Sequence, residues 1–244
     1  MSDAHDGDSG GAFHGRLVVV TGGTGALGTA VARHVLDQGG RVAIPAKTSD
    51  DASRSPLIDD DRVTITAAGD LAEEANAEQY FAEQAENVFA SIHVAGGFAF
   101  APIEDADADL FLRQLQMNAV SCYNACRAAI GAMRRSATAG RIVNVAAKPA
   151  LHPHEGANMA AYTASKAAVV GLTGALAEEV KADGIWINAV VPSIMDTPSN
   201  RQSMPDADHE QWPAVEDVAQ SACWLASPLN QVTRGAMVPV YGKS

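Results

Sequence analysis

The sequence predicts an α/β fold: a single doubly wound parallel sheet of about seven strands, with helices on both faces. Three observations carry that prediction. Short apolar, β-branched runs alternate with helical stretches from residue 16 to the end, as strand–helix–strand crossovers require. The first run, Arg16-Leu17-Val18-Val19-Val20, passes directly into a glycine turn and an amphipathic helix. The 244 residues are 47% apolar, with no composition break, internal repeat or low-complexity segment, so one core and one large domain are expected.

Residues 1–14 are rich in Gly, Asp, Ser and Ala and lack a basic segment followed by an apolar one, so they do not read as a signal peptide. The expectation is a disordered tail over residues 1–15 and a domain over 16–244. Residues 16–20 form a continuous apolar strand, as in a sheet buried on both faces. A helix follows over 26–38, with Leu27, Val31, Val35 and Leu36 inward and Gly39-Gly40 ending it. Residues 41–44 are the second strand, and 48–61 a polar surface loop whose Asp59-Asp60-Asp61 run is a solvated face. Strands are expected at 62–67, 88–95, 140–145, 185–191 and 236–240. Helices are expected at 73–86, 109–135, 160–181 and 215–226. Residues 146–159 read as a loop, and 192–213 as a long polar segment of the kind that forms lids or binding loops.

The net charge of −12 argues against a nucleic-acid or anionic membrane surface, because phosphate binding needs clustered Lys and Arg. No apolar run is long enough to span a bilayer. The three cysteines lack paired metal spacing, and Cys122 and Cys126 at i, i+4 read as small apolar core residues. No metal site is expected. So few cysteines suit a reducing compartment, and a cytoplasmic protein is expected.

Two features carry chemistry. Glycines in Thr21-Gly22-Gly23-Thr24-Gly25-Ala26-Leu27-Gly28 permit positive φ and close approach of phosphates, and the helix that follows aims its N-terminal N–H groups at them. In Ala161-Tyr162-Thr163-Ala164-Ser165-Lys166, a phenol and an ammonium lie four residues apart on one helical face. A Lys held near a Tyr and a cationic cofactor favours the phenolate, which suits proton transfer in carbonyl and alcohol chemistry.

Together with Asn118, these stretches resemble the short-chain dehydrogenase/reductase family, over essentially all of residues 16–244 and in the same order. The resemblance implies a Rossmann-like NAD(P)-binding domain. Gly22, Thr24, Gly25, Ala26, Leu27 and Gly28 would hold the cofactor, with Ala26 at the middle glycine of the family's shorter pattern and Gly25 fitting the longer one. Asp70, with Leu71, matches the acid that contacts the adenine. The family's Asn-Asn-Ala-Gly appears as His93-Val94-Ala95-Gly96, keeping Ala95 and Gly96 and leaving His93 as a satisfied structural residue. Asn118 matches the residue of a proton relay, Tyr162 the general acid/base, and Lys166 the group that holds the nicotinamide ribose and lowers the Tyr pKa. Pro192, Ile194 and Thr197 match positions around the nicotinamide carboxamide.

One departure matters. The family's Ser that hydrogen-bonds the substrate carbonyl is replaced by Ala147, which cannot donate. Losing such a donor typically costs about 100- to 1000-fold in rate. Three readings stand. The substrate carries its own polarisation, as the likeness of residues 146–151 to dihydropteridine reductases suggests. Another donor substitutes, from His152, His154 or Asn158. Or catalysis is lost. Ala147, His152, His154 and Asn158 are the substrate-pocket candidates.

At the end of the second strand, Ile44-Pro45-Ala46-Lys47 lacks the acid that binds the ribose hydroxyls of NAD. Lys47 can meet a 2′-phosphate, with Arg54 as a second cation, which favours NADP(H) over NAD(H). Arg201 in the 192–213 segment is a candidate for an anionic substrate. The expected activity is hydride transfer between the nicotinamide and a carbonyl, alcohol or quinonoid/imine-like carbon of a small molecule. The alternative is a cofactor-binding sensor or scaffold with the fold and weakened chemistry. By resemblance, a homodimer or homotetramer is expected.

Overall fold

The computed structural model describes residues 11–84 and 87–244. Its seven-stranded sheet has the order β3-β2-β1-β4-β5-β6-β7, with every adjacent pair parallel. The strands are β1 (Leu17–Thr21), β2 (Arg41–Ala46), β3 (Val63–Ala67), β4 (Val88–His93), β5 (Arg141–Val145), β6 (Trp186–Pro192) and β7 (Met237–Val240). The helices are α1 (Ala26–Asp37), α2 (Ser49–Ser53), α3 (Glu74–Ala82), α4 (Ala108–Gln114), α5 (Ser121–Arg135), α6 (Lys148–Leu151), α7 (Ala160–Glu179), α8 (Pro198–Ser203) and α9 (Val215–Ala226).

Two apolar cores sandwich the sheet. α1 and α9 cover one face, where Val18, Val20, Val31, Val35, Ile92, Val143 and Leu225 pack. α3, α5 and α7 cover the other, where Val19, Phe81, Met133, Ile142, Ile187 and Val169 pack. The continuous apolar runs arise because successive strand residues point to opposite, equally buried faces. β1, β4, β5 and β6 are accordingly buried at almost every position.

Several expectations need correction. Of the proposed tail, residues 1–10 lie outside the described residues, but Phe13 is 1% exposed and packs into the first core, its N–H bonded to Gln38 O at 3.0 Å. The 48–61 loop contains α2, capped by Thr48 through Asp51 N. The helix expected over 109–135 is α4 and α5 joined by a π-helical turn, Leu115–Val120. The loop expected over 146–159 holds α6 and a 3₁₀ turn, Pro153–Gly156. Of the 73–86 helix, α3 accounts for Glu74–Ala82, while residues 85 and 86 lie outside the described residues.

Sheet order places the site. The chain runs outward from β1 through β2 to β3, then returns to β4 on the other side of β1. The carboxyl ends of β1 and β4 therefore diverge at a topological switch point, where doubly wound sheets form their ligand crevice.

Candidate active site

The glycine turn closes the end of β1. Gly22 has φ +67°, and a Cβ there would sit 2.7 Å from Ala95 N, so the turn abuts the segment after β4. A Cβ on Gly28 would sit 2.1 Å from Gly22 O, so only glycine lets α1 approach the turn. Gly25 differs: its added Cβ would meet only Gly22 O at 3.5 Å. It caps α1 without any side-chain hydrogen bond, and Gly25 and Ala26 are exposed. This is an uncapped helix N-terminus behind an open glycine, a cradle suited to a pyrophosphate. Thr21 Oγ1 accepts from Ala95 N at 3.2 Å and ties the two segments together.

Asn118 lies on the π turn and is 1% exposed. Its amide brackets Gly97: Nδ2 donates to Gly97 O and Oδ1 accepts from Gly97 N, both at 2.9 Å. Nδ2 also donates to Ser165 Oγ at 3.0 Å, and Ser165 Oγ donates to Tyr162 O at 2.7 Å. A local π turn, common at functional sites, turns this amide inward from an otherwise regular helix. Gly96 is required there, because a Cβ would stand 2.5 Å from Asn118 Oδ1 and 3.4 Å from Lys166 Nζ.

Lys166 is 6% exposed, and its Nζ donates to Val145 O at 2.8 Å, which anchors α7 to the end of β5. Burial holds its pKa down at about 8. Nζ lies 6.0 Å from the Tyr162 ring centroid. Burial pushes the Tyr162 phenol up to about 12. In the protein without its cofactor desolvation sets the phenol, and the Lys166 ammonium faces the Val145 carbonyl. Phe98 meets the Tyr162 ring edge-on at 5.0 Å, a contact that sequence spacing did not signal.

The remaining positions fall on the same edge of the sheet. Ala147 is 5% exposed and caps α6 without a side-chain bond. The His152 ring packs against His154 and Tyr241, and Asn158 has φ +60° and accepts from Ala101 N at 2.8 Å through its carbonyl. Among the described residues, no hydrogen bond joins any of these three to Ala147 or Tyr162. Lys148 pairs with Glu155 at 2.9 Å and lies over the Tyr241 ring. Pro192 ends β6, Ile194 is exposed, and Thr197 caps α8 through Asn200 N.

Four charged candidates are engaged. Lys47 Nζ donates to Asp70 Oδ2 at 2.7 Å, while Asp70 Oδ1 accepts from Ala72 N, and these bonds hold the Asp70 carboxyl below its ordinary pKa. Arg54 pairs with Asp50, and Arg201 forms a two-pronged pair with Asp196. Leu71 is buried in the second core, its carbonyl accepting from Asn124 Nδ2 at 3.0 Å.

Beneath this edge His93 is buried as expected, bonded to Ser91 Oγ and Asn144 Oδ1, each at 2.8 Å. Cys122 and Cys126 lie in the second core as expected, and around His93 the donor atoms of His93, Cys122 and Cys126 all lie within 4.8 Å of one another. Chain spacing concealed this group, because β4 and α5 supply its members.

Comparison with known proteins agrees with this fold. The family model described as short chain dehydrogenase matches residues 16–208. A 2-dehydro-3-deoxy-L-rhamnonate dehydrogenase (NAD(+)) from a Sphingomonas species is 31% identical over 227 residues, 89% of this chain and 90% of the relative. A cyclic-di-GMP-binding biofilm dispersal mediator protein from Escherichia coli is 28% identical over 257 residues, covering 95% of this chain and 98% of its own. Among solved structures, ElxO with NADP bound superposes with a TM-score of 0.85 at 21% identity, over 93% of this chain and 97% of that one, a likeness of fold.

Proposed function

Because the chain belongs to the short-chain dehydrogenase/reductase family of oxidoreductases, we propose that it moves a hydride between a nicotinamide dinucleotide and a carbonyl, alcohol or quinonoid/imine-like carbon of a small molecule, with Tyr162 as general acid/base. The observation that carries this reading is the convergence of Gly96, Asn118, Val145 and Lys166 at the ends of β4 and β5, directly under the α7 turn that holds Tyr162. The open glycine cradle at α1 fits a dinucleotide's pyrophosphate, and the buried Lys166 ammonium fits a ribose hydroxyl pair. The bound dinucleotide supplies the two-electron couple.

The chain's own residues do the rest. Tyr162 keeps its proton at neutral pH and presents it to a carbonyl oxygen. Asn118 and Ser165 fix the backbone at Gly97 and Tyr162 and so set the height of the phenol. With Ala147 in the donor position, the substrate supplies its own polarisation, and the phenol is the proton source that remains.

NADP(H) is preferred over NAD(H), supported by exposed Lys47 and by the missing acid after β2. Phe111, Leu112, Met117, Val120 and Tyr123 are exposed along α4, the π turn and α5. Such a surface supports a homodimer or homotetramer. Cytoplasmic residence is part of the same reading.

A second reading has its own support. Ala147 removes a catalytic donor, and a relative of full length is named for cyclic-di-GMP binding. On that reading the chain is a nucleotide-binding sensor. Oxidation of NAD(P)H with a panel of carbonyls, quinones and dihydropterins separates the two: an oxidoreductase turns over with some member and loses this with Tyr162→Phe. A sensor binds the nucleotide and turns over none.

A further inference from the structure

We propose that His93, Cys122 and Cys126, with the side-chain carbonyl of Asn144, form a buried site for one thiophilic divalent cation of the zinc type. The site is separate from the cofactor crevice and lies beneath it.

The nitrogen and two sulfurs are donors that zinc takes, the Cys126 Sγ distances match the spacing of ligands, and the 2.8 Å His93–Asn144 contact is a hydrogen bond that a bound cation replaces. Cys126 Sγ stands 3.4 Å from His93 Nδ1 and 3.4 Å from Asn144 Oδ1, and His93 Nδ1 stands 2.8 Å from the same oxygen. With metal–sulfur and metal–nitrogen bonds of about 2.3 and 2.0 Å, two tetrahedral ligands stand about 3.5 Å apart. Cys122 Sγ completes the group within 4.8 Å of the other two. Three protein elements contribute: β4, β5 and α5.

The surroundings are those of a ligand set. Ser91 Oγ holds His93 Nε2 at 2.8 Å, so the ring is oriented from behind with Nδ1 toward the sulfurs. Asn144 Nδ2 donates to Thr173 Oγ1 at 2.9 Å, which turns Oδ1 inward. On binding, the two thiols release their protons to solvent, while the neutral His93 ring keeps its single proton, shifted from Nδ1 to Nε2, where it is donated in a hydrogen bond to Ser91 Oγ. Two thiolates and one divalent cation sum to zero, which a buried site needs, since His93, Cys122 and Cys126 are 3%, 5% and 0% exposed.

A disulfide does not explain the pair. Side chains at i, i+4 on a helix have Cβ atoms about 5–6 Å apart, whereas a disulfide needs about 3.5–4.5 Å. A metal bridges that gap and a sulfur–sulfur bond does not. Four protein donors leave no open position, so the ion is structural, clamping β4 and β5 one residue from the Val145 carbonyl that holds Lys166.

The test uses the full chain, expressed in zinc-supplemented medium and dialysed against a weak chelator. Metal content is measured by mass spectrometry. The same chain, stripped and refolded with cobalt(II), is examined for thiolate-to-cobalt charge-transfer absorption. About one zinc per chain and that absorption are expected. Cys126→Ser and His93→Asn should each lower occupancy at least about tenfold. Cys223→Ser should not, since Cys223 lies in the other core. Circular dichroism shows which variants fold, and either folded variant suffices. Occupancy under about a tenth of an ion with no charge-transfer band, or occupancy that a folded Cys126→Ser or His93→Asn variant retains, overturns the proposal.

Discussion

Lys166 Nζ donates to the carbonyl of Val145 at 2.8 Å, so the one buried ammonium of α7 is tied to the last residue of β5 rather than to the phenol of Tyr162. This bond satisfies the charge only in part, and burial holds the Lys166 pKa down at about 8 against an ordinary 10.5. Between those pH values the unfolded chain binds more protons than the folded one, so stability rises with pH across that window. The rise is on the order of 2–3 kcal/mol. Tyr162 acts oppositely and higher: with its pKa raised from 10 to about 12, its contribution is present below pH 10 and is lost toward 12. Urea unfolding at pH 7.5, 8.5 and 9.5 should show stability climbing, and Lys166→Met should flatten the climb. A flat wild-type profile contradicts the assignment.

The glycines of the first turn should separate by mechanism. Gly28→Ala forces a Cβ to 2.1 Å from Gly22 O and should cost about 1–3 kcal/mol or more of stability. Gly25→Ala meets nothing closer than 3.5 Å and should leave the melting temperature near wild type. On the proposed reading it should still weaken dinucleotide binding by about tenfold, because the methyl would stand in the cradle proposed for the phosphate. Thermal melts and equilibrium binding on the two variants check both halves.

Lys47 should set cofactor choice in spite of its pairing. The Lys47–Asp70 pair is exposed on both sides, so breaking it costs little stability. Lys47→Glu should weaken NADP(H) binding by about 10- to 100-fold relative to NAD(H), through like-charge repulsion of the 2′-phosphate. Equal affinity of this variant for both cofactors would remove Lys47 from the site.

On the proposed reading, in which Ala147 stands in for the family's Ser, Ala147→Ser should restore a donor. The gain should be selective: up to about 100-fold on unactivated ketones, and small on substrates that carry their own polarisation. Steady-state rates on the two substrate classes decide this, and equal gains on both would count against a self-polarised natural substrate.

Much of this architecture was legible because its signals are local. Continuous β-branched runs announce buried parallel strands, and the glycine turn sits between two of the plainest elements, β1 and α1. Tyr162 and Lys166 are likewise one turn apart on one helix. What escaped is non-local. The π turn at Leu115–Val120 accompanies an Asn118 amide bonded to Gly97, a partner 21 residues away. Phe13 packs alone from a glycine-rich segment, so no periodicity marks it. The His93–Cys126 approach joins residues 33 apart in the chain, and only the β4–α5 packing brings them together. The direction of the Tyr162 shift also lay beyond reach, because it depends on burial and on where the Lys166 ammonium points.

On the proposed reading, Tyr162 is the proton donor of a dinucleotide-dependent oxidoreductase. Tyr162→Phe removes one oxygen from a largely buried side chain whose ring still meets Phe98, so the fold and cofactor binding should persist. On any substrate that the wild-type chain reduces with NAD(P)H, single-turnover hydride transfer in this variant should fall by about 100- to 10,000-fold, with cofactor affinity within about threefold of wild type. Hydride transfer at the wild-type rate, with the variant folded and cofactor-bound, would contradict the account.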